Sequence, residues 1–113
     1  YVFSVHCNAG GGTGFEVWTS KGETKSDKLA KIVFEEAQKE LKEFKMRADY
    51  TDGDPDKESQ FYILKNTRCP AVLVESLFMD TKRDVEFLLS EEGLERIARM
   101  YSNAIIRINE QYP

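Results

Sequence analysis

Histidine occurs once in this 113-residue chain, and cysteine twice. Two cysteines cannot define a disulfide framework. Cys7 reads as a small buried thiol rather than a soft metal ligand beside His6. A Cys7–Cys69 bridge would require both residues to sit at neighbouring strand ends. A basic excess is also missing, with a net charge of -4 and a pI of about 5.1. Nucleic acid is therefore not expected as a partner, because phosphates need a basic face. No apolar stretch approaches the roughly 20 residues of a membrane-spanning helix. No signal peptide is evident, and residue 1 is Tyr rather than Met. The chain opens inside a strand-like stretch, which suggests processing, truncation or further sequence upstream. There is no internal repeat, linker or low-complexity segment. A hydrophobic content of 41% is enough for a core, so one domain over residues 1–113 is expected.

What is present has α/β character. Tyr1-Val-Phe-Ser-Val5 reads as a strand ending at His6, and Phe15-Glu-Val-Trp-Thr19 as a second. Ala30, Val33, Phe34, Ala37, Leu41 and Phe44 recur at helical spacing behind Ser26, a candidate N-cap. Lys28, Lys31, Glu35, Lys39 and Glu43 form the opposite, solvated face, spaced for ion pairs within the helix. Phe61 to Leu64 reads as a third short strand. Pro70 then precedes Ala71 to Val74, an unbroken apolar run suited to a strand buried on both faces. Thr81 with Asp84 resembles a capping box opening a helix with Val85, Leu88 and Leu89 on one side. Ser90 caps a last helix with the stripe Leu94, Ile97, Ala98, Tyr101, Ile105 and Ile108. Two long core-facing helices and about four strands make an α/β layer architecture.

Two loops invite ligand readings that their surroundings do not support. Cys7 to Gly14 is glycine-rich, but a strand follows it rather than a helix, and the Walker lysine is missing. A tight loop or close backbone approach fits better. Asp52, Asp54 and Asp56 are spaced like the start of a calcium loop, without its glycine or closing glutamate. A plain surface loop, bordering a site, is expected there.

The chemistry concentrates on His6 and Glu75. Glu75 follows the buried run with no polar transition, and a carboxylate there is costly without a partner or a task. His6 likewise ends an apolar strand. If the two strands run parallel, both side chains reach the same rim, where open α/β sheets bind ligands. An imidazole and a carboxylate together suit a metal site or general acid–base work.

Ser4-Val-His-Cys-Asn-Ala9 resembles the S-x-H-x-N-A motif of the zinc-dependent N-acetylmuramoyl-L-alanine amidases of the type-3 family. Gly14-Phe-Glu-Val-Trp18 and Pro70-Ala-Val-Leu-Val-Glu75 resemble two further segments, and Phe78-Met-Asp80, Asp84, Leu88 and Ile97-Ala98 also fit. The likeness covers essentially the whole chain. It implies a twisted, mainly parallel sheet flanked by helices, of the phosphorylase/hydrolase-like kind. It implies hydrolysis of the amide joining N-acetylmuramic acid to L-alanine in peptidoglycan, in an extracellular, cell-envelope or phage-lysis setting. His6 maps onto a zinc ligand and Glu75 onto the catalytic glutamate. Asn8 and Arg47 would bind substrate, with the glycine loop helping to orient it, and Arg47 matches an arginine of the family's loop before the third strand. The family binds zinc with two histidines and a glutamate, and the first histidine and that glutamate lie upstream of the S-x-H motif. The resemblance therefore implies the C-terminal part of a longer amidase, or a shortened protein that forms a homodimer through the exposed sheet edge. A non-catalytic peptidoglycan-binding or assembly module, and a hydrolase of another amide, are the alternatives.

Overall fold

The computed structural model describes residues 1–49, 53, 56–59 and 61–113. In chain order the elements are β1 (Val2–Asn8), β2 (Phe15–Thr19), α1 (Lys25–Glu40), β3 (Lys57–Glu58), α2 (Tyr62–Lys65), β4 (Ala71–Phe78), α3 (Lys82–Leu89) and α4 (Glu91–Gln111). The strands form one sheet in the order β1-β4-β2-β3. The β1–β4 and β2–β3 pairs are parallel and the β2–β4 pair antiparallel, so the expected mainly parallel α/β sheet is what forms. Among the described residues β1 is an edge strand, with Tyr1 and Val5 exposed beside it.

Alternation along the strands gives the sheet two unlike faces. Phe15, Val17, Val72 and Val74 pack against α1 and α4 in the main core. Ala71 and Leu73 point the other way, joining Leu64 of α2 in a small second cluster with Val2 and Trp18 at its margin. One face is thus covered by two long helices, and the other only at one end.

The helices depart from expectation in instructive ways. Helix α1 starts earlier, with Thr24 as N-cap in a reciprocal capping box with Asp27. The Ser26 hydroxyl, read as the cap, instead accepts from the Ala71 amide at 3.0 Å, fastening the helix to β4. The helix ends at Glu40, so Leu41 and Phe44 are buried just beyond it. Its outer charges pair largely across to α4 rather than along the helix. Arg107 meets Glu35 and Glu36 at 2.7 Å each, and Arg96 meets Glu43 at 2.6 Å.

Residues 61–64 are not a strand. They open the single-turn helix α2, with Leu64 buried and Tyr62 83% exposed. A four-residue apolar run carries too little periodicity to separate strand from helix turn, and here the small cluster decides. The stripe of α4 is rotated: Gly93, Met100, Ala104 and Ile108 are buried, whereas Leu94 is 61% exposed. Gly93 sets that rotation, because a Cβ there would lie 1.7 Å from the Phe87 carbonyl oxygen. Ile97 and Tyr101 still pack against the core, and Ser90 caps the helix as expected, through the Gly93 amide at 2.9 Å. In α3, Leu88 packs on the core but Leu89 is 78% exposed. No helix among the described residues is long and apolar enough to cross a membrane.

Candidate functional site

Register brings the site together. His6 of β1 is the Cα partner of Glu75 on β4, and Glu75 is the partner of Glu16 on β2. The three side chains form a row across adjacent strands spaced about 4.8 Å apart, on the face left open by the long helices. The parallel pairing expected of His6 and Glu75 is present, but neither residue ends its strand. Strand β1 continues to Asn8 and β4 to Phe78. The row therefore lies on the sheet face near the strand ends, not on the rim.

A bulge shapes the end of this face. Between His6 and Asn8 the partner strand advances from Glu75 to Phe78, one residue more than β1 does. Leu77 takes up the difference at φ +67°, a left-handed conformation that is costly for leucine. Both Ser76 and Leu77 are consequently buried: Ser76 shares a hydrogen bond with the Tyr101 hydroxyl, and Leu77 joins the main core. Phe78 returns beside Asn8, with the Arg47 guanidinium 5.1 Å from its ring centre. Burial, with Cys7 and Glu75 nearby, pushes the Tyr101 phenol up to about 12 despite its bond to Ser76.

The two carboxylates have opposite surroundings. Glu16 is buried and takes three donors: Asn8 Nδ2 at 2.5 Å, Arg47 Nε at 3.1 Å and Lys57 Nζ at 2.8 Å. Burial pushes its pKa up, but the bonds from Lys57 and Arg47 outweigh burial and hold it below the usual carboxylate range. Glu75 has a buried Oε2 with no hydrogen-bond partner among the described residues. Its pKa is raised, chiefly by burial and further by Glu16, against a lowering from His6. His6 is exposed, and its Nε2 shares a hydrogen bond with Ser4 Oγ at 2.8 Å.

The glycine loop binds an anion, though one supplied by the chain itself. The Gly10 and Gly11 amides donate to the Asp80 carboxylate, at 2.8 Å for Gly10, and depress its pKa. Buried Asp84 accepts from the Thr13 hydroxyl at 2.6 Å and from the Gly14 and Phe78 amides at 3.0 Å each. Asp84 is thus no capping-box partner of Thr81, whose hydroxyl donates to the Gly12 carbonyl instead. These bonds fix the loop to the β4–α3 junction, alongside the row.

The remaining expectations sort by position. Asn8 and Arg47 both converge on Glu16, one strand away from Glu75. Cys7 is exposed rather than buried, and both thiols are free. The cysteines flank opposite ends of the β1–β4 pair, because Val2 partners Ala71 whereas Asn8 partners Phe78, so a bridge is out of reach. Asp52 and Asp54 of the acidic loop lie outside the described residues. Asp56 is buried and accepts from the Thr19 hydroxyl at 2.5 Å, unlike a surface-loop residue. Sequence reasoning missed Glu16 and Lys57. The signal for Glu16 was the one used for Glu75: a carboxylate between apolar strand residues needs a partner or a task. Among the described residues no group of three or more His, Cys, Asp or Glu side chains could hold a metal ion.

Comparison with known proteins places this geometry in a lineage. The chain is 33% identical over 107 residues to N-acetylmuramoyl-L-alanine amidase CwlM of Bacillus licheniformis, covering 95% of this chain and 40% of that protein. It is 29% identical over 107 residues to the sporulation-specific N-acetylmuramoyl-L-alanine amidase of Bacillus subtilis, covering 93% and 38%. The chain thus spans about two-fifths of the length of these relatives. In fold it matches an N-acetylmuramoyl-L-alanine amidase of Clostridium difficile at a TM-score of 0.85 and 22% identity, covering 98% of this chain and 58% of that one. The CwlD amidase of Clostridioides difficile, solved with the GerS lipoprotein, matches at 0.75 and 25%, covering 96% and 53%. The model of the N-acetylmuramoyl-L-alanine amidase family, Amidase_3, matches residues 1–107, and the chain belongs to that family.

Proposed function

We propose that this chain carries the general acid–base half of a peptidoglycan amidase site, with Glu75 as the catalytic carboxylate. The reaction is hydrolysis of the amide between the lactyl group of N-acetylmuramic acid and L-alanine. The observation that carries the reading is the unpartnered, buried Oε2 of Glu75, in register with His6 on the open sheet face. A carboxyl whose pKa is raised toward the working pH exchanges protons more effectively than an ordinary one. Glu75 accepts a proton from the attacking water as its oxygen bonds to the carbonyl carbon. It returns that proton to the alanine nitrogen as the carbon–nitrogen bond breaks. Asn8 and the fastened glycine loop border the space beside this residue and orient the substrate. Peptidoglycan as substrate sets the place of action at the cell envelope, or in phage lysis.

Zinc is the metal implied for this family, where it acts as a Lewis acid and activates water. In this reading His6 offers one ligand nitrogen. The described residues do not by themselves fit a zinc site, since no three donors converge. The ion's remaining ligands would come from outside these residues.

The test is digestion of purified cell wall by the full-length protein with zinc supplied. New N-terminal L-alanine groups should appear, and Glu75→Gln should abolish them. Binding to the wall without release, unchanged by Glu75→Gln, would replace this reading with that of a non-catalytic wall-binding module.

A further inference from the structure

The open sheet face has two unlike halves. Around Asn8, Glu16 and the glycine loop it is polar. One step down the ladder it turns apolar: Trp18 is the cross-strand partner of Leu73, as Glu16 is of Glu75. Trp18 is therefore a diagonal neighbour of Glu75. Such neighbours stand about 7–8 Å apart, within reach of an aromatic side chain.

Phe61, at the N-cap of α2, meets Trp18 edge to face, with ring centres 5.2 Å apart and planes at 78°. Lys57 Nζ lies 5.5 Å from the centre of the Trp18 ring while bonded to Glu16. Trp18 is half-buried among these groups, whereas Phe61 is 40% exposed. A scattered exposed phenylalanine needs no explanation. The ring of Phe61 is set by a second aromatic, and that aromatic is itself a neighbour of the candidate catalytic carboxylate. Apolar surface held in place beside a polar site is how ligand sites are lined.

The substrate has two unlike halves as well. On the alanine side of the scissile amide stand peptide groups, which hydrogen bonds recognise. On the lactyl side stands a pyranose ring, with C–H bonds on its faces and polar groups around its rim. C–H bonds pack on the electron-rich face of an aromatic ring. The Lys57 ammonium, in the same cluster, supplies donors for oxygens of the rim. We infer that Phe61, set by Trp18, stacks on the sugar ring of N-acetylmuramic acid and makes this end of the face a sugar subsite. The inference rests on the amidase reading, which is what puts a sugar beside the scissile bond. Trp18 acts through Phe61 as a positioning residue.

The test compares two substrates of the full-length, zinc-supplied protein: a muramoyl peptide, and the same peptide carrying the lactyl group alone. Both contain the scissile amide, and only the first brings a sugar. The muramoyl peptide should show a KM about 3- to 10-fold lower, the range of one aromatic stacking contact. Phe61→Ala should erase that difference through KM rather than kcat. Phe61→Leu, which keeps apolar bulk without a flat ring, should erase it too and stands in if the alanine variant fails to fold. Trp18→Phe should retain much of the difference, whereas Trp18→Ala should lose it. In parallel, a peptide-free disaccharide of N-acetylglucosamine and N-acetylmuramic acid is titrated by calorimetry. It should bind the unaltered protein, and bind Phe61→Ala about 3- to 10-fold more weakly. Equal KM values for the two substrates in the unaltered protein would overturn the inference and leave the amidase reading intact. So would a Phe61→Ala variant that weakens both substrates alike. Disaccharide binding that depends on Phe61, with neither substrate cleaved, would cost the amidase reading and keep the subsite. A protein that neither binds the disaccharide nor cleaves either substrate would sink both.

Discussion

Glu16 and Glu75 are cross-strand partners on one face of one sheet, yet the fold treats them oppositely. Glu16 receives a donor from each of three chain segments and is held ionised. Glu75 keeps an oxygen with no hydrogen-bond partner among the described residues, and a raised pKa. Burial alone does not explain the difference, since it pushes both carboxyls up. The donors decide it. A saturated buried carboxylate holds structure together, whereas an unsaturated one has capacity left for a proton.

The contrast can be broken at several points. The largest effect belongs to Glu75→Gln, which should lower release of L-alanine termini by about 10²- to 10⁴-fold, the usual worth of general acid–base catalysis. The glutamine variant should keep its cooperative unfolding transition, and loss of that transition would make Glu75 structural. Next comes Leu73→Ala, which empties part of the small cluster at the covered end of the same face. It should cost roughly 2–4 kcal/mol in denaturant unfolding, and a near-neutral value would show that cluster to be loose.

Glu16→Gln is expected to cost about 2 kcal/mol, since it weakens two ion pairs whose cations are only partly exposed. Its pH signature follows from the depressed pKa. The stability Glu16 contributes is fully present above the ordinary glutamate range and is lost as pH falls through the depressed value. The variant and the unaltered protein should therefore converge in stability toward acid pH. The smallest effect is the opposite one at Glu75. A raised carboxyl pKa costs stability as pH rises through it, so Glu75→Gln should be the slightly more stable protein at neutral pH and lose that advantage in acid. Urea melts at two pH values would measure both, and equal pH profiles would dissolve the contrast.

Much of this architecture is legible in the order of residues. The run from Ala71 to Val74, with a carboxylate directly behind it, marks both a buried strand and a candidate residue. The spacing of Ala30, Val33, Phe34 and Ala37 marks the core face of α1. Other features escape such a reading for identifiable reasons. Residues 61–64 are too short a run to show a period. The α4 stripe turns on the close approach of Gly93 to Phe87, a contact between helices. Thr81 and Asp84 have the spacing of a cap but find stronger partners on the glycine loop, some 70 residues away in sequence.

By itself, the sequence determined the strands β1, β2 and β4, the long helices, and Glu75 as a carboxylate in need of a purpose. These follow from composition and periodicity, which act over a few residues and are written locally. Tertiary structure alone decided which residues meet. The row from His6 through Glu75 to Glu16 depends on strand register. The return of Phe78 to the site face depends on one extra residue at Leu77. The difference between the two glutamates depends on donors at positions 8, 47 and 57. Such pairings span long stretches of chain, and only the assembled sheet brings them within hydrogen-bond distance.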